Sequence, residues 1–294
     1  MRLRRAHSSR SWRRSARGLQ DTGFVEARNI AIEYRWAEGH NDRLPGLAAD
    51  LVSRAVAVIA APGSLASALA AKAATKTIPV VFEMGADPVA VGLVPTLHRP
   101  GGNLTGVTSL NAEVGPKRLE LLHKMVPAAT SFALVVNPTN PKNAEATTAD
   151  LRPAARALGL ELHVLHAATE GDFDGVFTSL AQLRAGGLVI ANETFFASRS
   201  EQLGALALRY RVPAVHQSRE FAVAGGLMGY GGSVAQSHKA AGVYTGRILN
   251  GEKSGDLPVQ RVTKVELIIN LRTAKVLGLS VPLDILGRAD EVIE

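Results

Sequence analysis

Five short loops hold most of the side chains that could do chemistry in this chain: residues 61–64, 83–88, 137–140, 191–196 and 216–221. Each follows a short apolar run, the position where open α/β sheets gather ligand contacts. Pro62-Gly63-Ser64 leads into a helical stretch, and the free amides of a helix start attract a carboxylate. Gly85 and Asp87 lie in the loop Glu83-Met84-Gly85-Ala86-Asp87-Pro88, where the run 79–82 stops. Asn137 and Asn192 each offer a paired donor and acceptor. Phe195, Phe196 and Tyr230 can stack on an aromatic solute or cover an aliphatic one. His216 ends a strand and can reach the same place. This is the chemistry of holding a small molecule. Each residue also has a structural reading: Asn137-Pro138 as a turn, Asp87 as a cap, Phe195 and Phe196 as core, His216 as a packed side chain.

Bond-breaking signatures are missing. The sequence contains no G-x-x-x-x-G-K-[ST] phosphate loop, no G-x-S-x-G elbow and no H-E-x-x-H pair. The glycine cluster 225–232 lacks dinucleotide spacing and reads as a hinge crossing that needs unusual backbone angles. The eight histidines show no metal spacing, and the chain has no cysteine. His163 and His166 fall on opposite faces of a strand. No catalytic residue, metal site or cofactor is therefore expected.

The elements that must carry these loops alternate. Residues 30–36 alternate apolar and polar, as a half-buried or edge strand does. Residues 42–53 place Leu44, Leu47, Ala48 and Leu51 on one helical face. Residues 56–60 form a continuous apolar run, the form of a parallel strand buried on both faces. Ser64 caps a helix reaching Thr75, and residues 80–82 form the next strand. A second series begins near residue 113. Helices are expected over 113–125, from 143 to a stop at Gly159, over 173–183, 198–211 and 233–250. Strands are expected over 132–136, 162–165, 188–190, 214–216, 227–230 and 265–270. Strands alternating with helices of this length indicate parallel sheets built from right-handed βαβ units.

The expected architecture is α/β: two Rossmann-like lobes with parallel sheets, joined by a multi-crossing hinge around a cleft. One lobe comprises residues 18–110 plus about 232–258. The other comprises residues 111–230 plus about 265–294. No apolar run approaches the roughly 18 residues that span a bilayer. The net charge of +7 suggests a nucleic-acid partner until its distribution is examined. Residues 1–17 hold seven arginines and no acid, and the other 26 Lys and Arg match the 26 Asp and Glu. A basic tail on a neutral body is not a basic binding face, so no nucleic acid is expected. The tail is expected to be disordered. It lacks the apolar core that an export signal carries after its positive charges.

Several blocks, in order, resemble one family. Gly85-Ala86-Asp87-Pro88-Val89 with Arg99-Pro100-Gly101-Gly102-Asn103-Leu104-Thr105-Gly106 is similar to the central block of solute-binding proteins of tryptophan- and aromatic-type ABC importers. Asn137-Pro138-Thr139-Asn140-Pro141, Gly225-Gly226-Leu227-Met228-Gly229-Tyr230-Gly231 and Ile269-Asn270-Leu271-Arg272-Thr273-Ala274-Lys275 resemble three more. The resemblance implies a type I periplasmic-binding fold and a monomeric, non-enzymatic receptor. Such a receptor closes on an amino acid or aromatic carboxylate and delivers it to an ABC permease in the membrane. It also implies a periplasmic location, whereas the visible N-terminus, without a recognisable export signal, points to the cytoplasm.

The likeness starts near Gly18. Where the family has an export signal and a first, central strand, this sequence has the Arg-rich stretch, so that strand of the N-terminal lobe is expected to be missing. Losing three or four buried apolar side chains would cost roughly 5–10 kcal/mol. Three further readings stay open: a cytoplasmic ligand sensor, a truncated receptor without function, and a cleft enzyme using Asp87, Glu83 or His216 as acid or base.

Overall fold

The computed structural model describes residues 15–109, 111 and 113–294. The chain forms two compact units: Met1–Leu110 with Ser233–Thr263, and Asn111–Gly232 with Lys264–Glu294. Most of the basic tail expected to be disordered, residues 1–14, lies outside the described residues. Residues 15–17 are helical, part of a helix, α1, described over residues 15–21.

In unit 1 the strands β1 (Ile59–Pro62), β2 (Val80–Met84), β3 (Leu104–Thr108) and β9 (Gln260–Arg261) form a parallel sheet in the order β1-β2-β3-β9. Alternation along β2 sends side chains to two different cores. Val80, Phe82 and Met84 pack with Leu65, Ala68 and Ala71 of α3 (Leu65–Ala74). Val81 packs with Ala241, Tyr244 and Ile248 of α10 (Val234–Leu249). A further helix, α2 (Leu44–Ser53), lies beside α3. Thr105, fully buried in β3, donates its hydroxyl proton to the Leu257 carbonyl at 2.7 Å.

Unit 2 has a seven-stranded sheet. Its strands are β4 (Ser131–Val136), β5 (Glu161–His166), β6 (Leu188–Ile190), β7 (Ala214–His216), β8 (Met228–Gly232), β10 (Val265–Asn270) and β11 (Glu291–Ile293). Their order is β11-β10-β8-β7-β6-β4-β5, parallel throughout except for the β8–β10 pair. The helices α4 (Gly115–Met125), α5 (Pro141–Ala157), α6 (Phe173–Gln182), α7 (Thr194–Ser198), α8 (Ser200–Arg209) and α9 (Arg219–Val223) alternate with the strands. Two more, α11 (Leu271–Val276) and α12 (Leu283–Leu286), follow β10. The core is continuous from Leu119 of α4 through Phe132, Val189 and Val215 to Ile269.

The expected and observed elements differ at a few places. Residues 31–37 run without regular structure, and one isolated bridge, Glu26 to Ile30, is all that forms there. An alternating pattern makes a strand only where a neighbour supplies its hydrogen bonds. The run expected at 56–60 is displaced to β1, and its burial alternates, with Ala60 and Pro62 exposed. Pro62 cannot donate to a ladder and belongs on an edge strand, and among the described residues β1 pairs with β2 alone. Helix α4 starts at Gly115, two residues later than expected. The helix expected over 198–211 is α8, Ser200–Arg209, and a separate short helix, α7, fills Thr194–Ser198 where a loop was expected. Residues 228–232 are a ladder strand held on both edges, and only Gly225 of the expected hinge cluster has a positive φ, 116°.

Candidate functional site

In unit 1 the parallel register sets Pro62 beside Glu83, so the loops after β1 and β2 leave the same end of the sheet. Gly63 takes the left-handed conformation, φ 95°. Its amide donates to the Glu83 carbonyl and to Glu83 Oε2, both at 2.9 Å. Ser64 is the N-cap of α3, with Oγ accepting from the Ser67 amide at 3.0 Å. The helix therefore starts at the carboxyl end of β1, where its first amides suit an anionic group. Gly85 and Asp87 follow β2. Asp87 Oδ1 accepts from the amides of Val89 and Ala90, which is the capping role open to it from sequence.

One residue organises this end. Glu83, only 3% exposed, points to the α10 side of the sheet as Val81 does. Its Oε1 accepts from Ser237 Oγ at 2.8 Å, and Oε2 lies 3.8 Å from His238 Nε2. A carboxylate at the first turn of a helix also meets the positive end of its dipole. Glu83 thus ties the Gly63 loop to the start of α10.

In unit 2, Asn137, Asn192 and Phe195 follow β4 and β6 at the carboxyl end of that sheet. Asn137 is buried, and its Oδ1 accepts from the Thr139 amide and hydroxyl in a turn. Asn192 accepts at its carbonyl from Asn143 Nδ2 at 2.9 Å. Between them sits Glu193, 5% exposed, whose carboxylate caps α7 through the Phe195 amide. Burial raises its pKa, opposed by hydrogen bonds from the Phe195 amide and from Asn137 and Asn140. Phe195 stacks obliquely on Phe173 and Phe196, with centroids 5.5 and 5.4 Å away, and belongs to the unit's core together with the fully buried Phe196.

His216 is completely buried rather than presented at a surface. Its Nδ1 meets Ser218 Oγ at 3.0 Å, and its Nε2 has no partner among the described residues. Desolvation, with the positive charge of Arg118 adding to it, pushes its pKa down to about 3. Between pH 6.5 and pH 3 the unfolded chain binds a proton that the native state refuses. Stability therefore falls as pH drops through that window, by about 1.4 kcal/mol per pH unit from this group. In His216→Phe the urea midpoint should decline less steeply between neutral pH and pH 4. An unchanged slope would remove His216 from the acid response. Tyr230, half-buried, is next along β8 after Gly229, the register partner of His216.

The family's sequence pattern, that of the ABC transporter substrate binding protein, matches residues 10–293. The chain belongs to that family. A tyrosine-binding protein of Clostridioides difficile is 27% identical over 264 residues, spanning 90% of this chain and 75% of that protein. A solved conserved domain protein of Vibrio cholerae superposes with a TM-score of 0.87 at 26% identity, covering 97% of this chain and 95% of that one. A Streptococcus pneumonia ABC domain in complex with L-Trp superposes with a TM-score of 0.80, covering 96% of each chain. At 22% identity that last likeness speaks for the fold alone.

This substrate-binding protein therefore has the architecture expected of the type I periplasmic-binding fold. Among its described residues, no helix is long and apolar enough to cross a membrane, and no cluster of His, Cys, Asp or Glu could hold a metal ion. Two buried charged residues, Glu193 and Arg118, were not singled out from the sequence, and Glu83 was named there only as a possible acid or base. Glu83 did carry a signal, an acid directly after Val-Val-Phe at the end of an apolar strand. Arg118 carried none, because its neighbours in the helix are Lys117, Leu119 and Glu120.

Proposed function

We propose that this protein is the receptor for an aromatic amino acid or a related aromatic carboxylate, which it delivers to an ABC permease. The similarity to a tyrosine-binding protein over 90% of the chain carries this reading. The strand-end loops support it: the amides at the start of α3 suit a carboxylate, and Tyr230 offers an aromatic face. Pro62, Gly63, Ser64, Gly85 and Asp87 in unit 1, and Asn137, Asn192, Phe195, His216 and Tyr230 in unit 2, are the proposed contacts or their immediate support. The role is binding without turnover, as a monomer, outside the cytoplasm.

A thermal-shift panel of L-tyrosine, L-tryptophan, benzoate and L-leucine tests it. A solute at about 100 times its Kd adds ~2.7 kcal/mol to the folded state, enough to raise the Tm by roughly 5 °C. We expect that rise with an aromatic member and a smaller one with L-leucine. A cooperative melt that none of them moves would refute the reading. Recovery of the bound solute unchanged would separate binding from catalysis.

A further inference from the structure

The chain passes between the two units at three places: Leu110 to Asn111, Gly232 to Ser233 and Thr263 to Lys264. Within unit 2, side-chain and ladder hydrogen bonds fasten the segments beside all three. Asn111 Oδ1 accepts from the Gly232 amide at 2.6 Å, and Asn111 Nδ2 donates to the Gly232 carbonyl at 3.5 Å. The amide side chain thus mimics a strand partner for Gly232. On its other edge Gly232 pairs with Val265, the first residue of β10. A Cβ on Gly231 would overlap Asn111 Oδ1, so the two segments approach as closely as glycine allows.

Arg118 locks this arrangement from below. Its Nε donates to the Tyr230 carbonyl at 2.7 Å, and its Nη2 to the Asn111 carbonyl at 2.9 Å and to Asn111 Oδ1 at 3.4 Å. It is 2% exposed, and no carboxylate pairs with it among the described residues. Burial pushes its pKa down to about 9, so it keeps its charge at neutral pH. An unpaired buried cation is costly, and here carbonyl oxygens alone answer it. A leucine would fill the space at lower cost, but it could not hold two separate backbone segments at fixed geometry, as the planar guanidinium does.

We infer that Asn111 and Arg118 are positioning residues, which set where the chain leaves unit 2 and hold Tyr230 at the solute-binding end of its sheet. This rests on the receptor reading above, since it gives Tyr230 a solute to meet. It adds that affinity depends on two side chains without access to that solute. The structural part can be tested separately.

Hydrogen exchange and L-tyrosine titration of Asn111→Ala, Asn111→Asp and Arg118→Lys provide the test. In Asn111→Ala the Gly232 amide should exchange at least about tenfold faster, while Leu134 and Val189 in the sheet centre keep their rates. The Kd for L-tyrosine should rise about threefold or more by loss of preorganisation. Asn111→Asp retains the acceptor for the Gly232 amide and should restore both. Arg118→Lys keeps the charge but not the fork, and should resemble Asn111→Ala. Wild-type exchange at Gly232 or a wild-type Kd in Asn111→Ala overturns the inference, as does an Asn111→Asp protein no better than Asn111→Ala. If Asn111→Ala does not fold, Asn111→Asp must fold with a protected Gly232, or the inference fails. If the wild type binds no L-tyrosine, the receptor reading loses that ligand, and the exchange rates alone decide the anchoring role.

Discussion

Gly242→Leu should strip helix α1 from α10 and lower the stability of unit 1 by roughly 3–5 kcal/mol. The two helices touch backbone to backbone. A Cβ on Gly242 would overlap the Ser15 carbonyl oxygen, and one on Gly18 would overlap the Lys239 carbonyl oxygen. Carbonyl oxygens inside helices cannot rotate away, so the larger side chain must push α1 off. That exposes Leu19, now 5% exposed, and breaks the Asp21–Lys239 contact at 2.9 Å and the bond from Asn250 Nδ2 to the Thr22 carbonyl. The exposed ion pair contributes little, so Leu19 and overpacking dominate the loss. Gly246→Ala should cost less because it adds one methyl group rather than a leucine side chain, although that methyl would still crowd the Thr22 hydroxyl, which can rotate, and Thr22 Cβ, which cannot. Urea denaturation measures both variants. A Gly242→Leu protein within about 1 kcal/mol of wild type would show that the seat is not tight.

Glu83→Ala should cost about 2–4 kcal/mol and weaken solute binding by at least about tenfold. The substitution removes the acceptor shared by the Gly63 amide and Ser237 Oγ. The loss is partial at each donor, since Gly63 also reaches the Glu83 carbonyl and Ser237 also reaches the Val234 carbonyl at 3.2 Å. His238 loses its nearest carboxylate as well. Glu83→Gln keeps one acceptor oxygen in the same volume, so it should retain more than half of the lost stability. The functional effect follows from position: Glu83 holds Gly63, Gly63 precedes the cap Ser64, and Ser64 aims the first amides of α3. Calorimetric titration beside urea denaturation checks it. Normal affinity in a destabilised Glu83→Ala would confine the residue to a structural role.

Much of the fold is legible in the sequence where the determinant is local. The Ser64 cap, the Gly159 stop with φ 70°, and the bounds of β7 and β10 follow from neighbours a few residues away. Alternation and apolar runs also place the strand ends that open the loops after β1, β2, β4, β6 and β7, although α7 and α9 take up the later part of the loops expected at 191–196 and 216–221. What stays hidden depends on distant partners. Residues 30–36 have strand composition, but among the described residues no adjacent strand supplies hydrogen bonds. Ala60 and Pro62 are exposed where β1 ends the sheet of the described residues, which its own composition does not show. Arg118 reaches Tyr230 across 112 positions, and Glu83 reaches Ser237 across 154. Neither pairing has a periodicity that a single sequence displays. His216 was legible as a strand end but not as buried, because its burial comes from the elements packed around β7.

Isothermal titration calorimetry of the whole chain with L-tyrosine and L-tryptophan tests the receptor reading most directly. We predict saturable binding of at least one of them at a single site, with a Kd of about 10 μM or tighter, equivalent to roughly −7 kcal/mol. No saturable heat from either at several temperatures, for a chain that melts cooperatively, would contradict it.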